Sequence, residues 1–186
     1  MNRLARTLEL LAAALDRLTI PYAIVGSVAS SARGSYRATE DIDLLAQISP
    51  EHAEGLAQTL GRDWYADGQQ MRSAIGAGRA FNLIYLPLSQ KVDVFPVVDE
   101  FCAAELERAD TIPVPTTEAD YPVLSAEDVV LAKLQWYKAG GEISDRHWND
   151  IGNVIRITPG IDWVYMEGWA PRLGIAALLA RAKSER

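Results

Sequence analysis

The chain has little with which to staple itself or to hold a soft metal. Of its 186 residues one is cysteine, Cys102, and two are histidine, His52 and His147. A single thiol excludes an internal disulfide. One thiol and two imidazoles fall short of the four ligands of a structural zinc site. No apolar run approaches the roughly 20 residues that cross a bilayer. The opening segment, residues 1–18, is amphipathic, but Glu9, Asp16 and three arginines interrupt it. It lacks the continuous apolar stretch of a secretory leader. These absences predict a cytoplasmic protein with no membrane partner. Positive charge is short as well: 18 Lys and Arg face 25 Asp and Glu, for a formal net charge of -7. Such a surface repels phosphate backbones and argues against unselective nucleic-acid binding. Arg33, Arg37, Lys91, Lys133, Lys138 and Arg146 remain available for a local basic patch.

What is present is enough apolar material for a core, 49% of residues, in a length that suits one domain or one domain with a small appendage. Leu4, Leu8, Leu11, Leu15 and Leu18 recur at helical spacing, and Pro21 ends that helix. Residues 22–25 read as a short buried strand, Gly26-Ser27 as a turn, and 28–32 as a second helix. Strands are expected at 41–46, 80–86 and 91–95, the last two joined by a hairpin-sized connection, with a further short one at 64–65. Helices are expected at 50–60, 69–75 and 100–108. Ile112 to Pro115 is extended, since two prolines exclude a helix. From Ser125 onward the pattern is helical. Ser125 with Asp128 resembles a capping box, and Asp162 suits a later helix cap. The expected fold class is therefore α+β. It divides into residues 1–124, with a small mixed sheet and flanking helices, and a helical part over 125–186.

Three short pieces bear chemistry. Gly26-Ser27 lies between a strand and a helix. Glycine there lets the backbone approach a ligand, and the helix-start amides with the Ser27 hydroxyl suit phosphate oxygens; an ordinary structural turn is the other reading. Asp41 and Asp43 are two apart on a strand and share a face, while Ile42 and Leu44 enter the core. Neighbouring carboxylates repel, a conflict that a divalent cation resolves. A solvated strand edge guarded by charge explains the same pattern. Asp93, within Lys-Val-Asp-Val-Phe, is an acid in an apolar strand. If that strand neighbours the Asp41 strand, Asp93 stands about 5 Å across from the pair. Otherwise it is an acid on a wet face beside a basic residue.

In this order, the segment from Val25 to Leu45, with Gly26-Ser27 and Asp41-Ile-Asp43, followed by Asp93, resembles the signature of the DNA polymerase β-like nucleotidyltransferase superfamily. The resemblance covers about residues 20–97. It implies a nucleotidyltransferase fold and a magnesium-dependent transfer of NMP from a nucleoside triphosphate, with two ions. Carried over residue by residue, Gly26 and Ser27 would contact the triphosphate, Asp41 and Asp43 would bind both ions, and Asp93 would bind the catalytic ion and help activate the acceptor hydroxyl. Two ions of this kind stabilise both the attacking and leaving oxygens of an in-line displacement.

The later part carries a second resemblance. Residues 125–134 and 145–151, with Lys133 in the first and an Arg-x-x-x-Asp run from Arg146 to Asp150 in the second, look like the abortive-infection type IV toxin family of nucleotidyltransferases. That implies Lys133 against triphosphate charge and Asp150 as its partner or an aid at the acceptor. Arg37, in the loop before Asp41, would also reach substrate. The acceptor could be tRNA or another RNA, a partner protein such as a cognate toxin or antitoxin, or a small molecule. A non-catalytic nucleotide-binding sensor of the same fold is the competing expectation. Trp136, Trp148, Trp163 and Trp169 read as core or interface residues, His147 as a surface or packing histidine, Cys102 as a small buried apolar group, and the Leu178-Leu179 segment as a docked final helix.

Overall fold

The structure is a computed structural model that describes residues 2–35 and 41–185. Helix α1 (Arg3–Arg17) is opened by Asn2, whose side chain accepts from the Leu4 amide at 2.8 Å. Its leucines at 4, 8, 11 and 15 are all buried, as the spacing predicts; each such burial is worth about 1.5–3 kcal/mol. Strand β1 (Tyr22–Ile24) follows and passes directly into α2 (Gly26–Ala32). The helix thus begins at Gly26 itself rather than two residues later, because Gly26 takes a positive φ of 63° and turns the chain without a separate loop.

Strand β2 (Ile42–Ala46), helix α3 (His52–Leu60), the short β3 (Trp64–Tyr65) and α4 (Gly68–Gly76) come next. A hairpin of β4 (Phe81–Tyr85) and β5 (Gln90–Pro96), joined by a 3-10 turn at Leu86–Leu88, leads to α5 (Glu100–Glu107). Two further strands, β6 (Asp110–Pro113) and β7 (Asp120–Val123), precede the helices α6 (Ala126–Ala139), α7 (Asp145–Ile157), α8 (Trp163–Trp169) and α9 (Ala176–Ser184). Asp162 caps α8 through the Tyr165 amide at 2.9 Å. Leu178 and Leu179 bury α9 against the body.

The seven strands form one mixed sheet in the order β3-β4-β5-β2-β1-β7-β6. Antiparallel pairing joins β4 to β5, β2 to β1 and β7 to β6, while β5–β2 and β1–β7 are parallel. Ile42, Leu44, Val92 and Val94 are sealed, each at most 1% exposed. Alternation then turns Asp43, Leu45, Asp93 and Phe95 to the opposite face of the two central strands. Helix α2 packs on β2 and on α6, and α6 in turn packs on α7, α8 and α9. The helices after residue 125 thus pack on α2 through α6, and Trp136 of α6 also meets Phe95 of β5. No helix among the described residues is long and apolar enough to cross a membrane.

Candidate active site

Parallel strands β2 and β5 run in a register that sets Asp43 directly beside Asp93, with Ile42 beside Val92 and Leu44 beside Val94. The apolar pairs fix that register, because a slip of either strand by one residue would turn its acid into the core and its valine or leucine out of it. The two carboxylates therefore share a face on adjacent strands. Asp41 lies one residue before β2, exposed, and adds its charge to the same region.

Gly26 sits against this pair. A methyl group at its Cα would overlap Oδ2 of Asp43, so the absent side chain is the space that the carboxylate occupies. The Val25 amide also donates to the Asp43 carbonyl at 2.9 Å, tying the turn to β2. Burial is the largest influence on Asp43 and pushes its carboxyl up to about 6; the charges of Asp93 and Asp41 push the same way, opposed by Lys91 and Lys133. Like charges held together at a half-buried site are a standing electrostatic cost.

Asp93 has local partners. Lys91, on the same strand, pairs with it at 2.9 Å, and Asn82 of β4, its register neighbour, donates to the same oxygen. Among the described residues no three carboxylate, imidazole or thiol groups stand close enough to enclose an ion by themselves. The donors on offer are carboxylate oxygens, which suit a hard cation. Magnesium takes few protein ligands and completes its shell with water and substrate phosphate, so a carboxylate pair backed by Asp41 fits it.

The helical part brings a cation to the acids. Lys133 of α6 and Asp150 of α7 form a buried ion pair at 3.1 Å, their side chains 11% and 12% exposed. Lys133 also borders a cavity of about 470 Å³ that takes in Gly26, Ser27 and Asp43. Three of the residues expected to contact triphosphate, Gly26, Ser27 and Lys133, thus line one space together with Asp43. Arg37 lies outside the described residues. His147, exposed on α7, lines the cavity as well, as does Trp136, which is 61% exposed and meets Phe95 edge-on at 6.3 Å. Trp136 is therefore no core residue. Cys102 is half-buried in the same wall, and burial pushes its thiol up to about 12.

Two acids of this region were not legible as such. Glu105 lines the cavity at 6% exposure, and Asp128 is fully buried. Burial, then Asp128 and Asp99, push the Glu105 carboxyl up to about 9. Asp128 does not complete a capping box. Its amide donates to Ser125 Oγ at 3.1 Å, but its carboxylate accepts from the Ser125 hydroxyl at 2.5 Å and from the Tyr165 hydroxyl at 2.6 Å. The signal for Glu105 was its place one helical turn after Phe101 on α5.

No family model matches the chain, and no curated protein matches its sequence. Its structure is similar to that of the antibiotic-resistance factor ANT(2'')-Ia in solution, with a TM-score of 0.56, 17% identity, and 98% of this chain and 97% of that one covered. It is similar also to ANT(2'')-Ia in complex with adenylyl-2''-tobramycin, with a TM-score of 0.53, 17% identity and 99% of both chains covered. An antigenic nucleotidyltransferase-like protein from Paracoccidioides brasiliensis matches with a TM-score of 0.50 at 20% identity, over 96% of this chain and 91% of that one. Likeness over nearly the whole length, on a mixed sheet with the acids on its central strands, shows that this chain has the nucleotidyltransferase fold.

Proposed function

We propose that the protein is a magnesium-dependent nucleotidyltransferase that moves NMP from a nucleoside triphosphate to an acceptor hydroxyl and releases pyrophosphate. The observation that carries this reading is the register of Asp43 beside Asp93, with Gly26 pressed on Asp43 and Lys133 bordering the same cavity. Asp41, Asp43 and Asp93 are the proposed holders of two magnesium ions. Magnesium bound there would offset charge on the triphosphate and on the oxygens that attack and leave. Gly26 and Ser27 hold triphosphate oxygens at the start of α2, and Arg37 is assigned to the same task from the sequence alone. Lys133, fixed by Asp150, adds a buried positive charge against the triphosphate. The acceptor oxygen bonds to the α-phosphorus as the bond to pyrophosphate breaks, and Asp93 takes the hydroxyl proton. To do so it must release Lys91, which is half-exposed.

The acidic surface favours a small molecule over a long RNA as acceptor, and the adenylylated antibiotic bound to one structural neighbour is of that kind. A toxin-antitoxin role, with tRNA or a partner protein as acceptor, rests on the sequence pattern around Lys133 and Asp150. The division of the chain at residue 124/125 is likewise a proposal. One observation favours a non-catalytic nucleotide sensor instead: Asp93 is engaged by Lys91 and Asn82.

The test is incubation of wild type and of Asp41→Asn/Asp43→Asn with each labelled NTP, magnesium, and mixed cellular RNA, protein and small metabolites. Label transferred by the wild type and not by the variant supports the enzyme and reveals its acceptor. Magnesium-dependent NTP binding with no transfer to any fraction refutes turnover and supports the sensor.

A further inference from the structure

Helix α5 contributes an acid to the cavity wall. Glu105 stands there, and its Oε1 is, among the described residues, the one buried side-chain oxygen with no hydrogen-bond partner. A carboxyl lining a cavity but lacking a protein partner is open to one that the cavity's occupant brings. The charges around it set the sign of that occupant. Asp99 at the start of α5 and Asp128 of α6 both act on Glu105 as negative neighbours. Tyr165 of α8 is hydrogen-bonded to Asp128. Arg108 is turned to Asp128 and Glu127, at 3.4 Å each, and lies over the Tyr165 ring. Lys133 is held by Asp150. No cation among the described residues is therefore committed to Glu105, and the field at this end of the cavity is negative. The same cavity takes in the apolar side chains of Phe95, Phe101, Leu124, Val129 and Ala132, beside the polar Gln135 and His147.

We propose that this end of the cavity is a subsite for an amine-bearing small molecule, whose ammonium group lies against Glu105 and whose apolar body lies along Phe95, Phe101, Leu124 and Val129. A triphosphate is repelled here, and a neutral apolar ligand would leave Glu105 without its partner. As a statement about the acceptor, the inference rests on the nucleotidyl-transfer reading; as a statement about binding it stands apart, so binding is what the test measures. The Glu105 proton gives a distinctive signature. A carboxyl pushed up to about 9 is protonated at neutral pH, and an arriving ammonium drives that proton off.

Phenethylamine and its uncharged analogue 2-phenylethanol are titrated into the full chain by calorimetry at about pH 7.5, in two buffers of different ionisation enthalpy. The wild type binds the amine roughly tenfold more tightly than the alcohol and releases close to one proton for each amine bound. Glu105→Gln loses both the preference and the proton release, and keeps the cooperative unfolding of the wild type. Equal affinity of the wild type for amine and alcohol, amine binding without proton release, or an amine preference that survives Glu105→Gln would each overturn the subsite. The wild-type comparison decides the matter even if the variant misfolds. An intact amine preference in a protein that transfers no label from any NTP sinks the enzyme and leaves the subsite standing.

Discussion

Replacing Lys133 by Met separates what the lysine does for the fold from what it does for a ligand. Lys133 and Asp150 are both nearly buried, with Nζ and Oδ2 at 3.1 Å. Removing one member of such a pair leaves the other charge buried and costs about 3–5 kcal/mol. For a chain of this size that corresponds to a fall in melting temperature of roughly 6–20 °C. Adding Asp150→Leu removes the buried carboxylate as well and replaces the pair by apolar groups, which is often neutral or better. The double variant Lys133→Met/Asp150→Leu should therefore melt within about 4 °C of the wild type. Its affinity for magnesium-NTP should still be lower by roughly tenfold or more, the worth of a lost charge-assisted contact. Thermal unfolding by circular dichroism and calorimetric titration with magnesium-NTP read the two effects apart. A stable double variant that binds NTP as the wild type does would refute the ligand role and leave the pair as scaffolding. A single variant that loses no stability would refute its burial.

Gly26→Ala places a methyl where the Asp43 carboxylate lies and forces an L-residue to positive φ; it should cost about 1–3 kcal/mol in urea unfolding and abolish labelled transfer, and full activity would show that the Asp43 position does not matter. Lys91→Met frees Asp93 from a half-exposed ion pair, so stability should change by less than about 1 kcal/mol while the magnesium concentration for half-maximal NTP binding falls; an unchanged magnesium requirement counts against Asp93 as a ligand. Glu105, pushed up from 4.5 to about 9, binds its proton more tightly folded than unfolded. Its stabilising effect is complete below about pH 4.5 and is lost as pH rises through about 9, at up to about 1.4 kcal/mol per pH unit. Glu105→Gln should flatten that slope in urea unfolding between about pH 6 and 9, and a slope identical to wild type would contradict the assigned protonation.

Local signals were legible where one segment decides its own state. The leucines of α1 announce their helix, and alternation in β2 and β5 announces which side chains face the core. Each acid was therefore assigned a face, yet nothing local sets Asp43 beside Asp93. That depends on β2 and β5 becoming parallel neighbours across some 50 residues of chain, a pairing fixed by the whole sheet order. Strand β7 was not assigned from the sequence, and its Pro122 is a residue that argues against a strand. The sheet tolerates it where β7 meets β1 at a single register position, Ile24 with Val123.

The buried acids show a sharper limit. Glu105 and Asp128 are acids on helices, where an acid ordinarily faces water, and Asp128 also has the spacing of a cap residue. Around Asp128 the partners come from afar: Tyr165 of α8 takes one oxygen, and Arg108 from the end of α5 reaches the other. Asp128 is thereby supplied with partners from three elements, whereas Glu105, four residues after Phe101, faces the cavity with an oxygen left over. Both residues pay for desolvation, but only the second has its debt open to a ligand. A buried carboxylate that the fold satisfies is architecture. One that the fold leaves unsatisfied beside a cavity costs stability with no structural return, and that imbalance, which no reading of residue types along the chain could reveal, is the ground for placing a cationic ligand at Glu105.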